Sequence, residues 1–160
     1  MTAPEALHWS AENCTIARAL DEIGDRWSLL VLREIFQGIR RFDDITVRTA
    51  IPRQVLSERL RRLVAIGVLR REPYRAEGQR RRHEYRLTAK GIDLYPVFMA
   101  LQQWGDNYLA DPVGPAREFI HRDCGQHLDL VLRCRAGHEV ADNRQVSGRP
   151  GPGARSRTPA

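Results

Sequence analysis

The stretch "IPRQVLSERLRRLVAIGVLRREPYRAEGQRRRHEYRLT", Ile51 to Thr88, does most to limit what this 160-residue chain can fold into. Its first part has the period of a helix. Val55, Leu56, Leu60, Leu63, Val64 and Ile66 make one apolar stripe between Pro52 and Ile66, while Arg53, Gln54, Ser57, Glu58, Arg61 and Arg62 take the opposite face. Pro52 suits the first position of a helix, because its missing N–H would have no helical partner there. Gly67 ends the pattern. Val68 to Tyr74 and His83 to Leu87 are rich in strand formers, and the polar "RAEGQRR" between them contains Gly78, so a hairpin with arginine at its tip is predicted.

The flanking segments are helical. Ile16, Ala19, Leu20 and Ile23 recur at helical spacing, Gly24 interrupts, and Trp27, Leu30, Val31, Glu34 and Ile35 restart the pattern until Gly38. "RFDDIT", Arg41 to Thr46, starts a further short helix with Phe42 and Ile45 turned inward. Thr88 is a good N-cap for a helix from about Ala89 to Ala110, striped by Leu94, Val97, Phe98, Leu101 and Trp104; Pro96 inside it predicts a bend or a junction. "ADPVGP" reads as a linker, and Glu118 to about Val140 as a small β-hairpin. From Ser147 onward, "SGRPGPGARSRTPA" has the composition of a disordered tail. The expected division is therefore an arm at 1–12, a main domain at 13–110, an appendage at 111–146 and a tail at 147–160.

Charge is distributed unevenly along this plan. Residues 48–86 carry twelve arginines against four acids, whereas residues 1–47 carry five against eight, within a net charge of +6. A basic concentration of that kind suits a polyanion, since neutralising phosphates and releasing their counterions supplies most non-specific nucleic-acid affinity. No apolar run approaches the roughly 20 residues of a membrane span. The N-terminus lacks the basic and apolar regions of a secretory signal, and three cysteines suggest no disulfide framework, so a reducing cytoplasm is the expected setting. No phosphate-binding loop, nucleophile elbow or H-E-x-x-H zinc motif is present, and an enzyme is not expected.

Helix, helix, short turn, amphipathic helix and basic hairpin, in that order, predict a winged helix-turn-helix: mainly α with a small β-hairpin wing, in the α+β class. The major groove of DNA, about 12 Å wide, accepts one helix whose early exposed residues reach base edges. Arg53, Gln54 and Ser57 hold those positions in a recognition helix at 52–66, with Arg61 one turn later. Arginine can take guanine bidentately and glutamine can take adenine. Arg75, Arg80, Arg81 and Arg82 in a wing at 74–83 would follow the backbone or enter the minor groove.

The same residues resemble a family. "CTIARALDEIGDRWSLLVLREI", "GIRRFDDI", "IPRQVLSERLRRLVAIGVLRREPY", "HEYRLTAKGIDLYPV" and "LQQWGDNYLA" come in the order and at the spacing of the HxlR-type transcriptional regulators, a winged-helix branch related in fold to the MarR group. The resemblance runs from Cys14 to about Leu109. It implies a DNA-binding regulator, more often a repressor, that forms a homodimer through its N-terminal and long C-terminal helices. It also implies half-sites about one helical turn apart, roughly 34 Å. Arg41 falls where the family places a basic residue close to the DNA backbone. The wing here, "RAEGQRRR", departs from the family's often proline-bearing form.

Cys14 matches a cysteine that some members of the family use to sense oxidants or electrophiles, which makes an oxidant or a small molecule a candidate effector. Locally, Asn13 is placed to cap a helix starting at Cys14, and a helix N-terminus favours thiolate. The alternative is a small apolar residue at the dimer edge. His121, Cys124, Cys134 and His138 offer four ligands at spacings that zinc accepts. Yet "CRAGH" lacks the C-x2-C of a zinc ribbon, so an ordinary hairpin with surface histidines is expected first and zinc second. No other cofactor is expected.

Overall fold

A computed structural model describes residues 8–74 and 82–157. They form two compact units, one made of the chain up to Leu87 together with the stretch from Ser147, the other of Thr88–Val146. The first unit runs α1 (Thr15–Ile23), α2 (Arg26–Phe36), α3 (Phe42–Thr49), α4 (Arg53–Ala65), β1 (Leu69–Tyr74) and β2 (Arg82–Leu87). The second holds α5 (Ala89–Ile92), α6 (Tyr95–Leu109) and a short 3-10 turn at Asn143–Gln145. This is the α+β architecture the sequence predicts, with one two-stranded antiparallel sheet among the described residues.

Gly24 separates α1 from α2 for a steric reason: a Cβ there would stand 2.5 Å from the Leu20 carbonyl oxygen. Asp25 then caps α2, its Oδ1 accepting from Ser28 N at 3.0 Å and facing Arg59 Nε at 3.2 Å. Burial pushes the Asp25 carboxyl up, but the Ser28 hydrogen bonds and Arg59 outweigh it and hold the group below its ordinary value. Asp25→Ala should cost about 1–2 kcal/mol of stability at neutral pH. Because the folded value is depressed, that contribution is present above the ordinary carboxylate range and lost as pH falls through the folded value. Urea midpoints of the two proteins should therefore draw together in strong acid; a gap that stayed constant would assign the loss to packing.

The core of the first unit is built from Val31, Leu32 and Ile35 of α2, Ile45 of α3, Ile51, and Leu56, Leu60 and Leu63 of α4, closed by Val68 and Leu69. Phe42, expected inward, is half-buried. Glu34 is buried among these residues, and its carboxylate accepts from Arg33 Nη2 at 2.5 Å and Arg48 Nε at 3.2 Å. A buried charge persists only when paired in this way. α4 begins one residue later than expected, with Pro52 outside it as N-cap. It ends in a Schellman turn: Val68 N donates to Leu63 O and Gly67 N to Val64 O, both at 3.0 Å. That turn puts Gly67 at φ 73°, where glycine carries no Cβ penalty, and aims the chain directly into β1. The hairpin pairs Leu69 with Leu87 through to Tyr74 with Arg82.

The first unit gives way to the second at Leu87/Thr88, where the sheet ends and a new helix is capped. Thr88 Oγ1 accepts from Gly91 N at 3.2 Å. Of the bend and the junction that Pro96 allowed, the structure has the junction. α6 starts at Tyr95 with Pro96 in its first turn, where a missing N–H breaks no helical bond. Among the described residues, no helix is long and apolar enough to cross a membrane.

The N-terminal segment and the tail differ from expectation. α1 starts at Thr15 with Cys14 as N-cap, and Asn13, instead of capping it, donates from Nδ2 to Gly153 O at 2.6 Å. Ser10 N donates to Arg155 O at 2.8 Å, Arg157 N donates to His8 O at 2.9 Å, and Trp9 bridges to Ser156. Composition alone suggests disorder from Ser147, but backbone pairing supplies this stretch with hydrogen-bond partners that composition does not reveal.

Candidate nucleic-acid interface

α4 is clamped from one side. Leu56, Leu60 and Leu63 are fully buried, which turns Arg53, Gln54, Ser57, Glu58, Arg61 and Arg62 outward. The N-cap of α4, Pro52, makes no side-chain hydrogen bond to the first turn. Gln54, Ser57 and Arg61 are exposed with no side-chain partner among the described residues. A polar face held rigid by an apolar anchor, with glutamine, serine and arginine uncommitted, has the donors and acceptors that base edges require.

Two other elements reach the same end of α4. Arg53 places its guanidinium 4.8 Å from the Phe42 ring centroid and donates from Nη1 to Asp43 Oδ1 at 2.9 Å, joining the first turns of α3 and α4. Arg82, at the start of β2, has Nη1 3.8 Å from Asp43 Oδ2. The hairpin is stitched to the entrance of α3 through its backbone: Tyr85 N donates to Arg40 O at 2.9 Å and Arg41 bridges to Glu84. Arg41 also lies over the Tyr74 ring, 4.4 Å from its centroid. The expected residues Arg41, Arg53, Gln54, Ser57, Arg61 and Arg82 thus lie on the connected set α3, α4 and β2. Arg75, Arg80 and Arg81 lie outside the described residues.

Not every arginine of the basic stretch is available. Arg59 is tied to Asp25, and Arg62 donates from Nη2 to the Asp21 carbonyl. Arg70 and Arg86 flank Glu72, and Arg86 also meets Glu84 at 2.5 Å. The Arg70 hydrogen bond holds the Glu72 carboxyl below its ordinary range, and the Glu84 hydrogen bond raises Arg86. Sequence reasoning missed Asp43, Tyr74 and Glu84 because their partners are brought to them by the fold and carry no periodic signal. Only the fold brings Asp43 to Arg53, ten residues away.

The remaining candidates sit elsewhere. Cys14 is half-buried at the N-cap of α1. In the second unit, His121 Nδ1 lies 3.3 Å from Cys124 Sγ, and Cys134 Sγ lies 3.6 Å from His138 Nδ1. These are two separate pairs, each inside a short turn closed by one bridge, Ile120–His127 and Arg133–Glu139, in place of the single hairpin expected. Among the described residues, no group of three or more histidine, cysteine or acidic side chains is placed to hold a metal ion.

The HxlR-like helix-turn-helix family model matches residues 22–112, which include α2, α3, α4 and both strands. The chain is 44% identical over 146 residues, 91% of each chain, to Rv3095 of Mycobacterium tuberculosis, an HTH-type transcriptional regulator. Among solved structures it resembles PA1607, a candidate transcription factor, at 36% identity and TM-score 0.74, covering 87% of this chain and 96% of that one. It also resembles the redox regulator HypR in its reduced form, at 29% identity and TM-score 0.52, covering 57% of this chain and 90% of that one.

Proposed function

The chain belongs to the HxlR-like helix-turn-helix family of transcriptional regulators, and from that premise we propose that it is a cytoplasmic repressor that binds a pseudo-palindromic operator as a homodimer. α4 enters the major groove. Arg53, Gln54 and Ser57 meet base edges and Arg61 follows along the groove, while Arg41, Arg75, Arg80, Arg81 and Arg82 meet phosphate or the minor groove. The observation that carries this reading is the anchored α4, whose exposed first turn shares one face with the entrance of α3 and the start of β2. Support for the homodimer comes from α1 and α6, each of which leaves a row of large apolar side chains uncovered.

Fluorescence anisotropy on duplexes tiled across the DNA beside the chain's own gene tests the reading, with a scrambled duplex titrated alongside at several salt concentrations. One tile should bind at least about a thousandfold more tightly than the scramble. Equal and steeply salt-dependent binding to every tile and to a wider genomic pool would make the chain a non-specific binder instead.

Cys14 is the proposed sensor of an oxidant effector. Its place at the N-cap of α1, the likeness to HypR and the exposed apolar face that follows it support this role. Peroxide would transfer one oxygen to the thiolate, leaving a sulfenic acid and hydroxide. Peroxide should change the operator affinity of the wild type by about tenfold, within the usual range of coupling energies, and leave Cys14→Ser unmoved. An equal response from both proteins would remove Cys14 from the mechanism.

A further inference from the structure

Asp43 stands in the first turn of α3, on the face proposed to meet DNA, and both its oxygens face guanidiniums. Oδ1 takes Arg53 of α4 and Oδ2 faces Arg82 of β2. The side chain is 58% exposed, so approaching phosphates would meet its charge directly. A carboxylate in a phosphate-binding face opposes affinity, and a benefit to the α3 dipole does not account for it. Asp44, its exposed neighbour in the same turn, supplies that charge and has no ion pair among the described residues.

Resting on the operator-binding reading above, we propose that Asp43 is a positioning residue that sets the specificity of the interface. A guanidinium carries five N–H donors, so the edge given to Asp43 leaves others for a base. Held between the carboxylate and the Phe42 ring, Arg53 loses little further freedom when it meets a matched base. On unmatched DNA the advantage of a free arginine would be to swing to the nearest phosphate, and there Asp43 both competes for the guanidinium and repels the backbone. The same carboxylate restrains Arg82. Asp43 therefore weakens indiscriminate binding while it preorganises the readout.

The probe is a duplex selected by the wild-type chain from a random pool, with a scramble of the same composition. Wild type, Asp43→Asn and Asp44→Asn are titrated against both duplexes at several salt concentrations, with thermal unfolding as a check on folding. Asp43→Asn should bind the scramble about three- to tenfold more tightly, with a salt slope steeper by about two, one for each protomer of the dimer. The selected duplex should be bound equally well or more weakly, so the specificity ratio falls. Asp44→Asn should shift both duplexes together and keep the ratio. If both variants shift both duplexes alike, charge alone accounts for the effect and the inference fails. An unchanged ratio in Asp43→Asn, on a duplex the wild type does select, overturns the inference and leaves the regulator reading standing. A wild type that selects no sequence removes both.

Discussion

Replacing Arg53, Gln54 and Ser57 together by alanine should erase the chain's preference for its operator while leaving a folded protein that still binds DNA. All three are exposed, and the residues that anchor α4, Leu56, Leu60 and Leu63, are untouched. Alanine is also the strongest helix former, so α4 should persist. Each good bidentate contact to a base discriminates by about 1–3 kcal/mol. Losing two of them in each of two half-sites removes about 4 kcal/mol or more, which lowers operator affinity by about a thousandfold or more. Affinity for scrambled DNA should fall only by the share of Arg53, with a salt slope shallower by about two, one for each protomer of the dimer. Gln54→Ala alone should show the same asymmetry in smaller measure, because an amide contributes nothing to counterion release. Anisotropy on operator and scramble reads both numbers, and circular dichroism confirms the helix. An unchanged ratio between the two duplexes would sink the recognition-helix assignment.

The parts of this fold that are legible in the sequence are those whose cause is local. The α4 stripe, the stop at Gly67 and the runs of strand formers after it depend on residues close to each other in the chain, and they appear as expected. Thr88 as a cap and Pro96 as a junction are equally local, since each is decided by which backbone N–H is present. What could not be read depends on distant partners. The ion pair between Asp43 and Arg53 crosses the turn between two helices, so neither residue signals it. Asn13, placed by sequence to cap a helix, bonds instead to Gly153, far along the chain. In the appendage, His121 with Cys124 and Cys134 with His138 each sit inside a turn of their own, an arrangement that spacing along the chain does not foretell. The apolar stripes of α1 and α6 are a different case. Periodicity reports that a helix has an apolar side, but it is silent on whether the chain itself or a second copy covers that side.

That silence leads to the second large effect, which Leu101→Asp should produce. On α6, Val97, Leu101, Trp104 and Tyr108 are more than half exposed at successive steps of four, three and four residues. This is the spacing of a helix seam that packs against another helix. α1 repeats the pattern with Ile16 and Leu20, exposed by 70% and 61%, followed by Ile23. A single chain seldom leaves a contiguous apolar row of this kind to water, because each large side chain gains about 1.5–3 kcal/mol on burial. In a two-fold interface one substitution acts twice, so Leu101→Asp would bury two unpaired carboxylates, at a cost of several kcal/mol. Sedimentation at micromolar concentration should show the variant at the monomer mass of 18.3 kDa and the wild type, as the proposed homodimer, at twice that mass. Leu101 is itself exposed within its own unit, so helix content should be unchanged. Operator affinity should fall by about a hundredfold or more, because the second half-site is no longer bound from within the same complex, while affinity for a single half-site stays as it was. A variant that remained dimeric with full affinity would show that α6 is not the seam, and the apolar row on α1 would be the next surface to charge.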